Sequence, residues 1–324
     1  MKAIVCSKYG SPDVLELKEV VKPIPKDNEV LIKIHAAALN AADWHIMRGD
    51  PWLGRLVIGL LKPKYKILGA DVAGRVEAVG RNVIQFQPGD EVFGDLFASG
   101  CGSFAEYVCT RENALVLKPT SITFEQAAAV PLAAVTALQG LRYKGQILPG
   151  QKVLINGASG GVGTFAVQIA KSFGAEVTAV CSTGKMEMVH SLGADHVIDY
   201  TKEDFTKHGQ LYDRIVGANG YHSLSDYKRV LSPKGTYVMT GGSGAQMAQA
   251  IFLGSLISIT GGKKMGSLEA IPNQEDLVFI KALLEAGKVV PVIDRRYALR
   301  EVPEAIRYLE EGHANGKVVI TVPD

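Results

Sequence analysis

Cysteine is scarce in this chain: four in 324 residues, Cys6, Cys101, Cys109 and Cys181, with no C-x-x-C spacing. Thiols so far apart build neither a disulfide framework nor a zinc site, and they suit a reducing compartment. Basic runs are missing too. The formal net charge is +2 and Lys and Arg are scattered, which excludes a nucleic-acid surface. Long apolar runs are also absent. The two richest, Ala127–Leu138 (broken by Pro131 and Thr136) and Ile251–Ile259, fall short of the roughly 20 residues that span a bilayer. No signal-peptide core follows Met1-Lys-Ala-Ile-Val-Cys6, which reads as a strand, so a cytoplasmic protein is expected. Internal repeats and low-complexity segments are lacking.

What is present is ordinary for a globular protein, 47% hydrophobic and 21% charged. A chain longer than about 250–300 residues divides into domains, because single cores stop growing near that size. The first hundred residues carry short strands between turns. They are Val30–His35, Val72–Val79 around Gly74, and Glu91–Gly94 after the turn Gln87–Asp90, followed by Phe104–Val108 and Ala114–Lys118. Many short strands at close spacing indicate a barrel or a partly open one. From Thr123 the pattern changes. Helices at Phe124–Val130 and Leu132–Gly140 lead into strands at Lys152–Asn156, Glu176–Cys181, His196–Ile198, Arg214–Val216 and Thr236–Met239, with helices between them. That alternation predicts a doubly wound parallel sheet, with Leu256–Thr260 as an apolar edge strand. Beyond Gly266 come a helix at Gln274–Ala286, a strand near Val290–Arg296, a helix at Val302–Glu311 and a strand at Gly316–Val322; this tail is expected to rejoin the first domain.

The strongest motif is Gln151–Gly163, in which a buried strand enters a glycine turn that opens an amphipathic helix, Thr164–Phe173. Such a turn presents backbone amides at a helix N-terminus, where a pyrophosphate can sit. Ala158, Gly160 and Gly163 take the three positions of G-x-G-x-x-G, and Ser159, Gly161 and Val162 complete the predicted phosphate loop. A glycine turn alone is weak; the flanking strands decide for dinucleotide binding. An acid about twenty residues further on would hold the ribose hydroxyls of NAD. The second strand ends instead in Val180-Cys-Ser-Thr-Gly-Lys185, where Ser182, Thr183 and Lys185 suit a 2′-phosphate, so NADPH is expected over NADH.

Several further segments occur in a recognisable order: Ala38-Leu-Asn-Ala-Ala-Asp43, Leu68-Gly-Ala-Asp-Val-Ala-Gly74, Gln87-Pro-Gly-Asp90, Gly102–Tyr107, Pro131–Leu138, Gly193-Ala-Asp195, Ile198-Asp-Tyr200 and Gly312–Val318. Together with the glycine turn they resemble the medium-chain dehydrogenase/reductase superfamily over nearly the full chain, and within it the zinc-free quinone oxidoreductase branch. The resemblance implies an α/β protein with a Rossmann doubly wound parallel sheet plus a GroES-like β-barrel catalytic domain. The implied domains are 1–122 (GroES-like), 123–265 (NADP-binding) and 266–324 (a tail returning to the catalytic domain). Zinc-dependent members carry ligands where this chain has Asn40, Ala70 and Leu132, a set that cannot hold a catalytic zinc.

By resemblance, Lys185 holds the 2′-phosphate and Tyr200 covers the adenosine end. Asn219, Gly241 and Gly242 lie near the cofactor, Asn315 and Lys317 reach toward it, and Thr136 stands beside the nicotinamide. Asn40 is a candidate donor to a substrate carbonyl or a loop cap; Asp43 matches a family aspartate or only orders its loop. Trp44, Trp52 and Tyr65 are candidates for a substrate pocket. The stretch Leu53–Leu61 reads as a lid or lining, as a buried helix or, least favoured because basic residues are few, as a membrane-surface helix. His35 and His45 read as structural. A homodimer joined along Leu256–Thr260 is implied.

Without a metal, plausible reactions delocalise the incoming charge, as in hydride addition to a quinone or to the β-carbon of an α,β-unsaturated carbonyl. The alternatives are reversible alcohol or aldehyde oxidoreduction, which would need zinc, and a non-enzymic NADPH-binding structural protein.

Overall fold

The computed structural model describes residues 1–323 apart from 220–221, 243–245, 247–248, 252, 255–257 and 259–261, and apart from the side chain of Leu53. Its strands are β1 (Lys2–Cys6), β2 (Leu15–Glu19), β3 (Glu29–Ala38), β4 (Asp71–Val79), β5 (Glu91–Asp95), β6 (Tyr107–Arg111), β7 (Leu115–Leu117), β8 (Lys152–Asn156), β9 (Glu176–Cys181), β10 (His196–Asp199), β11 (Tyr212–Gly217), β12 (Leu231–Met239), β13 (Lys264–Ser267), β14 (Ile293–Ala298) and β15 (Lys317–Thr321). The helices are α1 (Ala41–Arg48), α2 (Arg55–Ile58), α3 (Phe124–Ala128), α4 (Pro131–Leu141), α5 (Gly161–Ser172), α6 (Met186–Ser191), α7 (Leu224–Val230), α8 (Gln274–Glu285) and α9 (Val302–Glu310). The chain forms two compact units. Unit 1 is Met1–Ala133, Pro272–Glu285 and Pro291–Asp324; unit 2 is Ala134–Ile271 and Ala286–Val290.

Unit 1 is built on a seven-stranded sheet, β14-β15-β3-β4-β5-β7, with β6 also paired to β3. Its centre is β3, whose Val30, Ile32, Ile34 and Ala36–Ala38 are at most 1% exposed. Gly74 of β4 is required by this closeness, since a Cβ there would lie 2.1 Å from the Lys33 carbonyl oxygen. The strand expected at Phe104–Val108 is shifted to Tyr107–Arg111. Phe104 is instead drawn into the core, fully buried, and its carbonyl accepts from the Ile4 amide at 2.9 Å. Where the sequence places a boundary at 122, unit 1 continues to Ala133. The reason is α3: Phe124 stacks on His35 with ring centroids 4.3 Å apart, and Glu125 pairs with Arg296 at 2.6 Å.

Unit 2 is a six-stranded parallel sheet in the order β10-β9-β8-β11-β12-β13. Counted from β8 this is 3-2-1-4-5-6, the dinucleotide-binding order, with its reversal between β8 and β11. Val153, Leu154 and Ile155 are fully buried, as a strand covered on both faces must be. The described edge strand is β13, which the sequence reading missed. Leu256–Thr260 lies outside the described residues except for Ser258, which is helical. The stretch Ala286–Val290 belongs here because the Gln168 side chain exchanges hydrogen bonds with the Val290 amide (2.8 Å) and carbonyl (3.0 Å). Buried Arg214 donates to the Tyr143 and Gly145 carbonyls at 2.8 and 3.2 Å, satisfying groups just past the end of α4.

Candidate active site

In unit 2 the chain leaves β8 at Asn156 and turns at Gly157, whose φ of +85° is left-handed. The tight turn therefore belongs to Gly157; Ala158, expected to occupy that position, is fully buried and donates its amide to the Val180 carbonyl at 3.0 Å. A Cβ on Gly163 would lie 2.1 Å from the Gly157 carbonyl oxygen, so the first turn of α5 packs directly on the loop. At Gly160 a Cβ would meet only that same oxygen, at 3.7 Å, so the space in front of it is open. The amides of Gly161, Val162 and Gly163 have no acceptor within their own helix and carry its positive dipole end. Beside buried Ser159 they make an anion cradle.

Parallel pairing of β9 and β10 sets Asp199 opposite Cys181, and the Tyr200 amide donates to the Cys181 carbonyl at 3.1 Å. Ser182, the turn Thr183–Lys185 and half-exposed Tyr200 are thereby gathered at one end of the sheet. Asp199 is the residue missed there. Its carboxylate accepts from the Thr183 hydroxyl, and from the Thr201 hydroxyl (2.7 Å) and amide (3.0 Å), which hold it far below the usual carboxylate range. The Thr183 proton is thus directed to Asp199. A strand-terminal acid in Val-Ile-Asp-Tyr was visible in the sequence, but the strand pairing brings it to the site.

At the carboxyl end of β11, the Ala218 and Asn219 amides donate to the Asn156 carbonyl at 2.9 and 3.2 Å, and Asn219 covers Gly157. Gly241 must be glycine because a Cβ would lie 2.4 Å from the Ala218 carbonyl oxygen; Gly242 follows with φ +137°. On α4, a Cβ at Gly140 would lie 3.0 Å from Thr240 Cγ2, just after β12. Buried Thr136, one turn earlier, shares that helix face. Unit 2 thus brings Thr136, Asn219, Gly241 and Gly242 to the same end of the sheet as the cradle.

Unit 1 contains a buried polar cluster. Asn40 precedes α1, and its amide donates to Asp43 Oδ2 at 2.8 Å, while the Gly69 amide donates to Asp43 Oδ1 at 3.2 Å. Both Asp43 oxygens therefore order backbone. The Asn40 side chain donates through Nδ2 to Asp71 Oδ2 (2.9 Å) and accepts at Oδ1 from Lys317 Nζ (2.5 Å). Lys317 Nζ also pairs with Asp71 Oδ2 at 3.0 Å, and the Leu132 amide donates to Asp71 Oδ1 at 2.8 Å. Lys317 is 3% exposed and Asp71 is fully buried. This corrects the expectation for Lys317: its ammonium is engaged inside unit 1, orienting Asn40. Asp71 carries the arrangement, and nothing in the Leu68–Gly74 segment around it assigns it that role. Asn315 Oδ1 is buried and has no hydrogen-bond partner among the described residues.

Trp44 stacks on His45 with ring centroids 3.6 Å apart and packs, like Tyr65, against the unit 1 core. Trp52 does not join them; it is 61% exposed. Leu56, Val57, Leu60 and Leu61 are exposed as well, so Leu53–Leu61 is not a buried helix.

Burial lifts the Asp43 carboxyl to about 7. Asp95 stands opposite Asp71 across β4 and β5, and burial followed by that neighbouring charge raises it too. A carboxyl raised in the folded state binds protons that the unfolded chain has released, so its contribution to stability is lost as pH rises from the ordinary carboxylate value of 3.8 toward 7. Asp95→Asn keeps the acceptor for the Phe97 amide, and its stability relative to the unsubstituted protein should improve with rising pH. Urea midpoints at about pH 5 and about pH 8 check this; a variant that only holds its place, or loses ground to the unsubstituted protein, as pH rises contradicts it.

The donor set does not fit zinc. Both polar atoms of the Asn40 side chain are engaged, and Ala70 and Leu132 offer no side-chain donor. Among the described residues no group of three or more His, Cys, Asp or Glu side chains could hold a metal ion.

Residues 26–120 match the alcohol dehydrogenase GroES-like domain, and residues 192–320 match the family described as zinc-binding dehydrogenase. The chain is 36% identical over 336 residues to the chloroplast envelope quinone oxidoreductase homolog of Arabidopsis thaliana, covering 99% of this chain and 98% of that protein. It is 36% identical over 333 residues to the NADPH-dependent alkenal/one oxidoreductase of the same plant, covering 99% and 79%. The structure of the quinone oxidoreductase from Coxiella burnetii superposes with a TM-score of 0.89 at 30% identity, covering 100% and 99%. With the strand order, the glycine turn and these likenesses in hand, this chain belongs to the medium-chain dehydrogenase/reductase superfamily, in its quinone oxidoreductase branch, and is an oxidoreductase.

Proposed function

We propose that this enzyme uses NADPH to reduce a quinone or an α,β-unsaturated carbonyl compound without a metal ion. The observation that carries the reading is the open cradle at Gly160–Gly163, with Ser182 and Lys185 at the neighbouring strand end. The alkenal/one and quinone relatives support the acceptor class, and the name of the former supports the cofactor.

The amides of residues 160–163 would hold the pyrophosphate, Ser182 and Lys185 the 2′-phosphate, and Tyr200 the adenosine. Thr136, Asn219, Gly241 and Gly242 would attend the nicotinamide end. Bound there, the nucleotide supplies a hydride. The protein's own part is orientation and charge. One hydrogen of Asn40 Nδ2 is taken by Asp71; among the described residues the other has only the Ala38 carbonyl, at 3.5 Å, the limit of a hydrogen bond. We assign that hydrogen, polarised by the Lys317 ammonium, to the acceptor oxygen where negative charge develops. Trp44 and Tyr65 would supply apolar surface for the acceptor.

Stopped-flow loss of NADPH absorbance against a panel of quinones, enones and aldehydes tests the reading, with metal content measured in parallel. Turnover of quinones or enones by metal-free protein is expected. Turnover of simple alcohols only with zinc, or NADPH binding with no turnover, would replace it by one of the two alternatives. Lys185→Glu should cut kcat/KM for NADPH by about tenfold or more, equivalent to about 1.4 kcal/mol, while changing NADH little. Equal effects on both cofactors would remove the 2′-phosphate assignment.

Four free cysteines support a reducing, cytoplasmic setting, and no helix among the described residues is long and apolar enough to cross a membrane. A homodimer remains part of the reading. Strand β13 is an edge whose only described partner is β12, and such edges invite pairing. Light scattering should give twice the chain mass; a monomer would remove the dimer.

A further inference from the structure

Apolar side chains are normally exposed singly, and a contiguous exposed group marks a surface that meets something other than water. In unit 1 such a group is concentrated in ten residues. Trp52 is 61% exposed, Leu56 69%, Val57 76%, Leu60 55% and Leu61 90%.

The segment is anchored. Ile58, on the inner side of α2, packs against the unit 1 core. The Tyr9 hydroxyl donates to the Gly59 carbonyl at 2.5 Å, and the Arg55 guanidinium donates to the Gly49 and Arg48 carbonyls at 3.0 and 3.2 Å while lying over the Tyr9 ring. The outer apolar face is thus held in place by the inner one.

Charge identifies the occupant. Between Asp50 and Asp71 the chain has no acidic residue but four cations, Arg55, Lys62, Lys64 and Lys66. The three lysines are exposed and follow the apolar residues directly. Exposed aliphatics and a tryptophan flanked by lysines match a bilayer interface, where apolar groups enter the acyl boundary and ammonium groups meet lipid phosphates. Protein interfaces instead deplete lysine. We propose that Trp52–Lys66 seats this protein on an anionic lipid surface, with Leu56, Val57, Leu60 and Leu61 inserted and Lys62, Lys64 and Lys66 on the headgroups. This reverses the order of preference drawn from the sequence, where the same segment was judged too poor in basic residues.

Co-sedimentation with vesicles tests the proposal. The full chain should sediment with phosphatidylcholine–phosphatidylglycerol vesicles about tenfold more than with phosphatidylcholine alone at low salt, and should be released as salt rises. Val57→Glu/Leu61→Glu should reduce sedimentation to background while leaving kcat/KM for a water-soluble quinone and the light-scattering mass unchanged. Lys62→Glu/Lys64→Glu should keep the fold and lose the preference for phosphatidylglycerol. The proposal is overturned if the unsubstituted protein ignores anionic vesicles, or if Val57→Glu/Leu61→Glu still binds them equally. A fall in molecular mass in that variant would make the face a self-association surface, and a fall in kcat/KM would make it part of the acceptor site; either result overturns the proposal. Vesicle binding is read without turnover, so its failure is distinct from failure of the proposed reaction.

Discussion

Lys317→Met should destabilise the protein by about 3–5 kcal/mol, the cost of leaving one member of a buried ion pair without its partner. The substitution keeps an unbranched four-atom stem and removes the ammonium. Asp71, fully buried, would then keep a carboxylate whose remaining donors are the Asn40 amide group and the Leu132 amide. Asp95 stands across the sheet from it, so two buried carboxyls would be left facing each other with no cation beside them. Combining Lys317→Met with Asp71→Asn removes the stranded charge, and the double variant should recover a large part of the loss. Urea unfolding of the single and double variants measures both effects. The account fails if Lys317→Met unfolds within about 1 kcal/mol of the unsubstituted protein, the range of a surface pair. Activity should fall in the double variant even where stability returns, because Asn40 Oδ1 no longer has the ammonium that orients it.

The second large effect is at the glycine turn. Gly163→Ala puts a methyl group where a Cβ lies 2.1 Å from the Gly157 carbonyl oxygen and 2.7 Å from Ala158 Cα. Backbone on both sides cannot swing away as a side chain can, so α5 must move off the loop. Overpacking of this kind costs about 1–3 kcal/mol. Displacing the amides that face the phosphates should also raise the NADPH dissociation constant by about 100-fold, equivalent to about 2.7 kcal/mol. Gly160→Ala supplies the contrast. Its Cβ has 3.7 Å of clearance, so stability should hold, while the methyl group occupies the open space in front of the cradle and weakens NADPH binding. Thermal unfolding and fluorescence titration of the two variants separate packing from binding. Equal loss of stability in both, or unchanged affinity in both, would contradict the assignment of the cradle.

Much of unit 2 was legible in advance because its signals are local. Strands β8 and β9 begin and end where their apolar runs do, since a buried parallel strand is a short apolar run between turn residues. The glycine motif is equally local, although the backbone moved its tight turn from Ala158 to Gly157. Unit 1 was harder to read. Strand β6 is set three residues later than expected because its register follows β3, from Glu29–Arg111 to Lys33–Tyr107, and the Phe104 side chain is claimed by the core. Strand β13 was missed because Lys-Met-Gly-Ser has almost no strand pattern of its own; pairing with β12 makes it one.

The site shows the same division. Local sequence determined the cradle, the absence of an acid at the end of β9 and the absence of zinc ligands at residues 40, 70 and 132, because each depends on residue type within a few positions. Tertiary structure alone decided the partners of Asn40. Lys317 lies 277 residues away and Asp71 lies 31 away, and only the pairing of β15, β3 and β4 brings them together. It also decided that Asp199 holds Thr183, and that Leu56, Val57, Leu60 and Leu61 face outward. The physical reason is common to all three cases: burial and charge pairing are properties of which chain segments meet, and no periodicity along one segment records its neighbour.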